Sequence, residues 1–272
     1  MHPLAQAAAT LLGDTVTQAE PLQGGDLSDV LRMDLASGRT VIAKGGPAPE
    51  TEADMLRAIA ATGATAPAVL AADARVLVLE SLPDTGRLSP RAWADLAGQL
   101  HLLHSSTGQR YGWDTDYALG RVPVHNTWQD NWPDFWANQR LLPELPHLPI
   151  RLAGNIAAVT EDLAEWLPLH PPASLLHGDL WAGNVLADGS SITGLIDPAC
   201  YFGHAEVDLA MLSLFGSPPR EFWERYGALT PGWPRRQAIY QLWPAIVHLR
   251  LFGAGYEALV SRLLSRITDD TS

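Results

Sequence analysis

Residues 175–210 read LLHGDLWAGNVLADGSSITGLIDPACYFGHAEVDLA. The apolar pair Leu175-Leu176 predicts a short strand that stops at a tight turn, His177-Gly178-Asp179. Ala182–Leu186 and Ile192–Ile196 flank Asp188-Gly189, a hairpin turn signal, and the second of these strands ends on Asp197-Pro198. Two hairpin-linked strands would then deliver Asp179, Asn184 and Asp197 to one edge. Such an arrangement suits a metal and proton-transfer site.

A 272-residue chain that is 47% apolar can bury a substantial core in one or two domains. Thirty acidic residues against 18 basic ones give a net charge of −12, which argues against a broad nucleic-acid surface but leaves room for a nucleotide substrate. Cys200 is the lone cysteine, so no intrachain disulfide forms and a reducing, cytoplasmic setting is expected. No basic region followed by an apolar signal core opens the chain, and no 18-residue apolar run interrupts it, so neither a targeting segment nor a membrane span is expected. Oligomeric state is left open.

The first third reads as a small antiparallel sheet. Residues 4–12 form an apolar helix, Val16–Pro21 begins a strand, and Leu31–Leu35 with Arg39–Lys44 form a hairpin about Ser37-Gly38. Gly24 and Gly25 are either a plain turn or a place where backbone amides approach a phosphate. The stretch is not a Walker A loop. Lys44 ends its strand, and Glu50-Thr51-Glu52 opens a helix through Ala61. A strand lysine can face phosphates while a helix carboxylate fixes it; Glu52 is the expected partner and Glu50 the competitor. Val69–Ala71 and Arg75–Leu79 add two strands. Glu80-Ser81-Leu82-Pro83 then breaks the pattern, giving a boundary between lobes 1–82 and 83–272 and a linker whose backbone could bind an adenine edge.

From Pro90 the chain turns helical. Pro90–Ser105 carries apolar residues at helical spacing, with His101 and His104 expected as packed or capping histidines. Residues 106–127 read as a long polar and aromatic loop, and its continuation over Asn126–Pro133 as a helix entry running through Phe135, Trp136 and Leu141. Tryptophans interleaved with Asp and Asn there suit either a sugar-like ligand or domain packing. Further helices are expected at 151–167, 207–215, 219–228, 235–251 and 255–267.

The central residues fit phosphoryl transfer. Asp179 can orient an attacking hydroxyl and take its proton, Asn184 and Asp197 can hold magnesium beside a nucleotide's phosphates, and Lys44 can neutralise phosphate charge from the opposite lobe. His177 and Asp208 are read as braces of the turn. His204 is left between capping its loop and touching substrate. A competing reading makes His177, Asp179, His204 and Asp208 a transition-metal hydrolase site.

LLHGDLWAGNVL followed by IDPACYFGHAEVDLA, with PLQGGDLSDV, GWDTDYALG, WQDNWPDFW and YQLWPAIVHLRLFGAGY, resembles the fructosamine (ketosamine) kinase family over nearly the whole chain. That family lies within the aminoglycoside phosphotransferase and protein-kinase-like group. The resemblance implies an α+β bilobal fold, with a small antiparallel-sheet lobe and a larger, mainly helical one. It implies ATP with Mg2+, and phosphorylation of a ketoamine sugar at its third hydroxyl, on a small or protein-bound fructosamine or ribulosamine. It carries Asp179 over as base, Asn184 and Asp197 as metal ligands, Lys44 as the phosphate lysine, Glu52 as its partner, Asp208 as the buried brace, and Trp181 as part of the acceptor pocket. The segment between Lys44 and Glu52 looks compressed for such a kinase. Other small-alcohol or aminoglycoside kinases, and a nucleotide-binding protein without turnover, are the alternatives.

Overall fold

A computed structural model describes residues 2–22 and 29–269. Gly24 and Gly25 therefore lie outside the described residues. Helix α1 (Pro3–Leu12) leads into β1 (Val16–Pro21), β2 (Val30–Leu35) and β3 (Thr40–Lys44); α2 (Pro49–Ala61) follows, then β4 (Val69–Asp73) and β5 (Val76–Glu80). These strands make one antiparallel sheet of order β1-β2-β3-β5-β4. Alternation in β2 and β3 turns Leu31, Met33, Leu35, Val41 and Ala43 to one face, where α1 covers them with Leu4, Ala5 and Ala8.

Helix α2 joins this sheet to the rest of the molecule. Pro49 at its first turn and Glu50 and Glu52 beside it suit a helix N-terminus. Its Ala53 and Leu56 pack on Leu77 and Leu79 of β5. One position further round, Met55 and Ile59 enter a different core, with Leu96, Leu100, Leu195 and Leu209. The helix that carries Glu52 is thus fixed from both sides.

The remainder is mainly helical, as expected. It contains α3 (Pro90–Ser105), β6 (Thr107–Gly108), β7 (Tyr117–Leu119), β8 (Val122–Val124), α4 (Trp132–Trp136), α5 (Ile150–Glu161), α6 (Leu163–Trp166), β9 (Ala173–Leu176), β10 (Val185–Asp188), β11 (Ser191–Leu195), β12 (Tyr201–Gly203), α7 (Glu206–Leu212), α8 (Arg220–Tyr226), α9 (Trp233–Phe252) and α10 (Glu257–Thr268). Three local readings are corrected. Strand β9 pairs with β12 and β6, while β10 and β11 form a separate hairpin, so the polar residues reach one place from two sheets. Residues 106–127 are not one loop: β7 and β8 form a hairpin within them. The 151–167 helix breaks at Asp162, and the segment after α4 continues as a π turn and then a 3-10 turn before Pro149.

The tryptophans of the aromatic stretch are packing groups. Trp132 and Trp136 are fully buried in the main helical core with Phe135 and Tyr240, and the Trp132 indole donates to the Tyr240 hydroxyl at 2.9 Å. Trp113 and Trp128 lean on Phe202 of β12. Arg140 ties this region down. It is fully buried, sits over the Tyr201 ring at 4.1 Å, and donates to the His125 carbonyl and, at 2.9 Å, to Asn126 Oδ1. It thereby fixes the segment that follows the β7–β8 hairpin. Arg140→Leu should remove about 2–4 kcal/mol of stability in urea unfolding, because the acceptors it satisfies stay buried; a loss below 0.5 kcal/mol would contradict this role.

Candidate active site

Strand β3 ends on Lys44, which is 7% exposed. Its Nζ donates at 2.7 Å to Glu52 Oε1 and at 2.7 Å to Asp197 Oδ1. Burial works against the ammonium, but the two carboxylates outweigh it and hold its pKa above the ordinary lysine value. Glu52 is therefore the partner despite the short connection, and the competitor Glu50 is exposed. Glu52 also accepts at 3.3 Å from the Tyr117 hydroxyl of β7. Asp197 takes a left-handed backbone conformation, φ 54°, unusual for a residue with a side chain; such strain concentrates at functional sites.

The turn after β9 is built around Asp208. Its Oδ2 accepts from the His177 N–H at 2.8 Å and from His104 at 3.1 Å, and its Oδ1 accepts from the Gly178 N–H at 3.0 Å. Burial pushes Asp208 up, yet these partners outweigh it and keep its carboxyl below the usual range. Gly178 has φ 82°, and a Cβ there would lie 2.0 Å from the Ala199 carbonyl oxygen, so only glycine closes this turn. His177 shares its ring between the Ile196 carbonyl, to which Nε2–H donates at 2.9 Å, and the Asp179 N–H, which donates to Nδ1 at 3.3 Å. Burial pushes the His177 pKa down, so the ring is a neutral brace.

Asp179 emerges from this turn half-buried. Asn184 Nδ2 donates to its carbonyl at 2.8 Å and to its Oδ2 at 3.3 Å. Burial and then Asp197 push the Asp179 pKa up to about 7, against the pull of Asn184 and Lys44. Trp181 is 43% exposed, and its indole lies across Gly183, where a Cβ would meet the ring at 2.3 Å.

These groups share one cavity of about 650 Å³. Lys44, Asp179, Trp181, Asn184 and Asp197 line it, with Tyr117–Gly120 of the β7 hairpin on one wall and α7 and α9 on another. Glu80, Ser81 and Leu82 are not among its lining residues; the Glu80 N–H and carboxylate bind Ala68, and Leu82 lies close over Gly194. His204 is not there either. Its Nδ1 meets the Tyr240 hydroxyl at 2.9 Å behind the cavity wall, and burial holds its pKa down at about 4. The substrate role left open for it gives way to core packing. The hydrolase reading fails on the same ground, since both His177 nitrogens are engaged. Among the described residues no group of three His, Cys, Asp or Glu side chains is placed to hold a metal.

Asn184 and Asp197 fit a different cation. Both offer oxygen, and with its Nδ2 engaged at Asp179 the Asn184 amide presents its carbonyl oxygen. Mg2+ needs only one or two such protein ligands, because phosphates and water complete its shell. Cys200 is buried beside Met55, with its thiol pKa pushed up, and is no nucleophile. Sequence reading missed Tyr117, hidden in the supposed loop, and the His104–Asp208 contact, whose partners lie 104 positions apart.

An antiparallel sheet that aims one lysine at a cleft, over a helical body that supplies a braced aspartate, an asparagine and a second aspartate, defines a phosphotransferase with a kinase-like fold. The model of the fructosamine kinase family matches residues 3–270. A probable ketoamine kinase of Synechocystis sp. is 38% identical over 200 residues, which cover 70% of this chain and 66% of that protein. The crystal structure of a candidate fructosamine-3-kinase from Thermobifida fusca YX-ER1 is similar at TM-score 0.89 and 29% identity, covering 98% of this chain and 99% of that one. A mutant of the aminoglycoside phosphotransferase APH(4)-Ia, solved with ADP and hygromycin B, shares the fold at TM-score 0.68 and 16% identity over 97% and 96% of the two chains. The chain belongs to the fructosamine kinase family, and with it to the ATP-dependent phosphotransferases.

Two outcomes test the bracing by Asp208 and the neutral burial of His204. Asp208→Ala should lower stability by about 3–5 kcal/mol in denaturant titration, since it leaves two buried N–H groups and His104 without their acceptor; a change under 1 kcal/mol would contradict the design. His204 is neutral when folded, so between pH 6.5 and about 4 the unfolded chain binds a proton there that the native chain does not. Its contribution is complete above that window and is lost on acidification, by about 3 kcal/mol across it. His204→Gln should flatten the fall of Tm between pH 7 and 5; an unchanged slope would contradict neutral burial.

Proposed function

We propose that the chain transfers the γ-phosphoryl group of ATP to a ketoamine sugar, at the 3-hydroxyl of fructosamine or ribulosamine adducts. The observation that carries this reading is Asp179, held at the cavity wall by the Asp208-braced turn, in the cavity that Lys44 and Asp197 also line. The names of the relatives support the ketoamine as acceptor.

In this reading the acceptor hydroxyl lies against Asp179. Its oxygen attacks the γ-phosphorus as the carboxylate takes the proton, the bond to the β–γ bridging oxygen breaks, and ADP leaves. Lys44 neutralises phosphate charge once the nucleotide is seated. Asn184 and Asp197 would hold Mg2+, which screens the phosphates when bound. Trp181 offers an indole face to the sugar. Glu52 acts through Lys44. The division at 82/83 would separate a nucleotide lobe from an acceptor lobe. Among the described residues no helix is long and apolar enough to cross a membrane, and the lone buried cysteine suits the cytoplasm.

An acceptor panel of fructosyl-lysine, ribulosyl-lysine, choline and an aminoglycoside, with ATP and mass-spectrometric product detection, tests this assignment. A ketoamine should be preferred at least about tenfold in kcat/KM, a difference of about 1.4 kcal/mol in transition-state binding. Preference for choline or the aminoglycoside would reject the acceptor class. ATP binding without any phosphorylated product would reject turnover itself.

A further inference from the structure

The cavity is chemically divided. Among its described lining residues the full charges are Lys44, Asp179 and Asp197, and all three belong to the phosphoryl-transfer machinery. The wall built by α7, the residues after it, and α9 carries Val207, Met211, Trp243, Val247 and Leu251, with no lysine, arginine or carboxylate. Its outer part is a ring cluster. Phe215 and Phe252 each contact His248, at 4.5 and 5.4 Å between centroids, and Tyr256 contacts His248 at 5.2 Å and Phe252 at 6.1 Å.

This cluster is left open to solvent. Phe215 is 44% exposed and Phe252 46% exposed, although both line the cavity. Exposed aromatic surface that continues a binding cavity marks a contact site rather than core. His248 adds no charge. Its Nδ1–H donates to the Pro244 carbonyl at 2.8 Å, and burial holds its pKa below the ordinary histidine value.

A ketoamine has two parts: the sugar that takes the phosphate and the substituent on its nitrogen. The sugar belongs beside Asp179 and Trp181. Resting on the ketoamine reading above, we infer that the aromatic wall of Phe215, His248, Phe252 and Tyr256 receives the nitrogen substituent. It therefore selects adducts of amines bearing an uncharged aromatic or alkyl group over adducts formed on the α-amine of a free amino acid, whose carboxylate sits next to the ketoamine nitrogen. Ring faces gain by covering an apolar group. A free amino acid would bring its carboxylate to a wall with no lysine or arginine among its lining side chains; the neighbouring Arg121 spends Nη2 on the Arg250 and Leu251 carbonyls, and an unpaired charge is costly to desolvate there.

The test uses one ketose joined to three amines: benzylamine, methylamine and glycine. With saturating ATP, kcat/KM for the benzylamine adduct should exceed that for the methylamine adduct by about tenfold, the size expected for one well-covered ring. The glycine adduct should fall below the methylamine adduct. Phe252→Ala should shrink the benzyl-to-methyl ratio at least about threefold, and Phe215→Ala serves as the second variant should the first fail to fold. A glycine adduct as good as the benzyl adduct would overturn the inference. So would a benzyl-to-methyl ratio that neither variant changes. Turnover of all three adducts without preference rejects the subsite and leaves the ketoamine reading standing, whereas turnover of none rejects both.

Discussion

The ammonium of Lys44, held between Glu52 and Asp197, is the contact on which the site depends. It joins three parts of the chain: β3 of the sheet, the first turn of α2, and the turn after β11. A buried ion pair contributes little net stability, because desolvation offsets attraction, but removing one partner leaves an uncompensated charge that costs about 3–5 kcal/mol. The triad therefore acts less as a source of stability than as a geometric constraint. It requires α2 to lie at one distance from the sheet and the Asp197 turn to approach from the other side. The split packing of α2, with Ala53 and Leu56 on the sheet and Met55 and Ile59 in the helical core, meets that requirement.

A second constraint fixes the other wall. Asp208 is fully buried and spends its carboxylate on two backbone N–H groups and His104. It thereby freezes the His177–Asp179 turn without entering the cavity. Gly178 makes that turn sterically possible, and His177 links it to Ile196, one residue before Asp197. Asp179 and the Lys44-side Asp197 are thus tied through one imidazole. Tyr117 adds a contact between the hairpin on the cavity wall and Glu52.

Much of this was legible in the sequence because the signals are local. Asp188-Gly189 marks the β10–β11 hairpin, Ser37-Gly38 marks β2–β3, and helical spacing from Pro90 to Ser105 gives α3 to the residue. Lys44 and Glu52 stand at a strand end and a helix start, places where side chains meet across a short connection. What stayed hidden is long-range. The pairing of β9 with β12, the His104–Asp208 contact and the reach of Tyr117 to Glu52 join residues far apart in the chain, and no periodicity encodes them. The tryptophans of 113–136 stayed ambiguous for a related reason: aromatic residues among Asp and Asn look the same in sequence whether they face a sugar or a core. His204 is similar, since only the fold shows Tyr240 in contact with it and the cavity wall in front.

In the proposed reaction the braced Asp179 carboxylate performs the proton transfer while other residues seat the nucleotide. Single-turnover phosphoryl transfer by Asp179→Asn, at saturating ATP and ketoamine, separates these roles most directly. Transfer should slow by about 10²–10⁴-fold, as for loss of a general base, with nucleotide affinity changed less than about threefold and the melting temperature preserved. Transfer at a near-normal rate, or a loss explained wholly by weakened nucleotide binding, would contradict it.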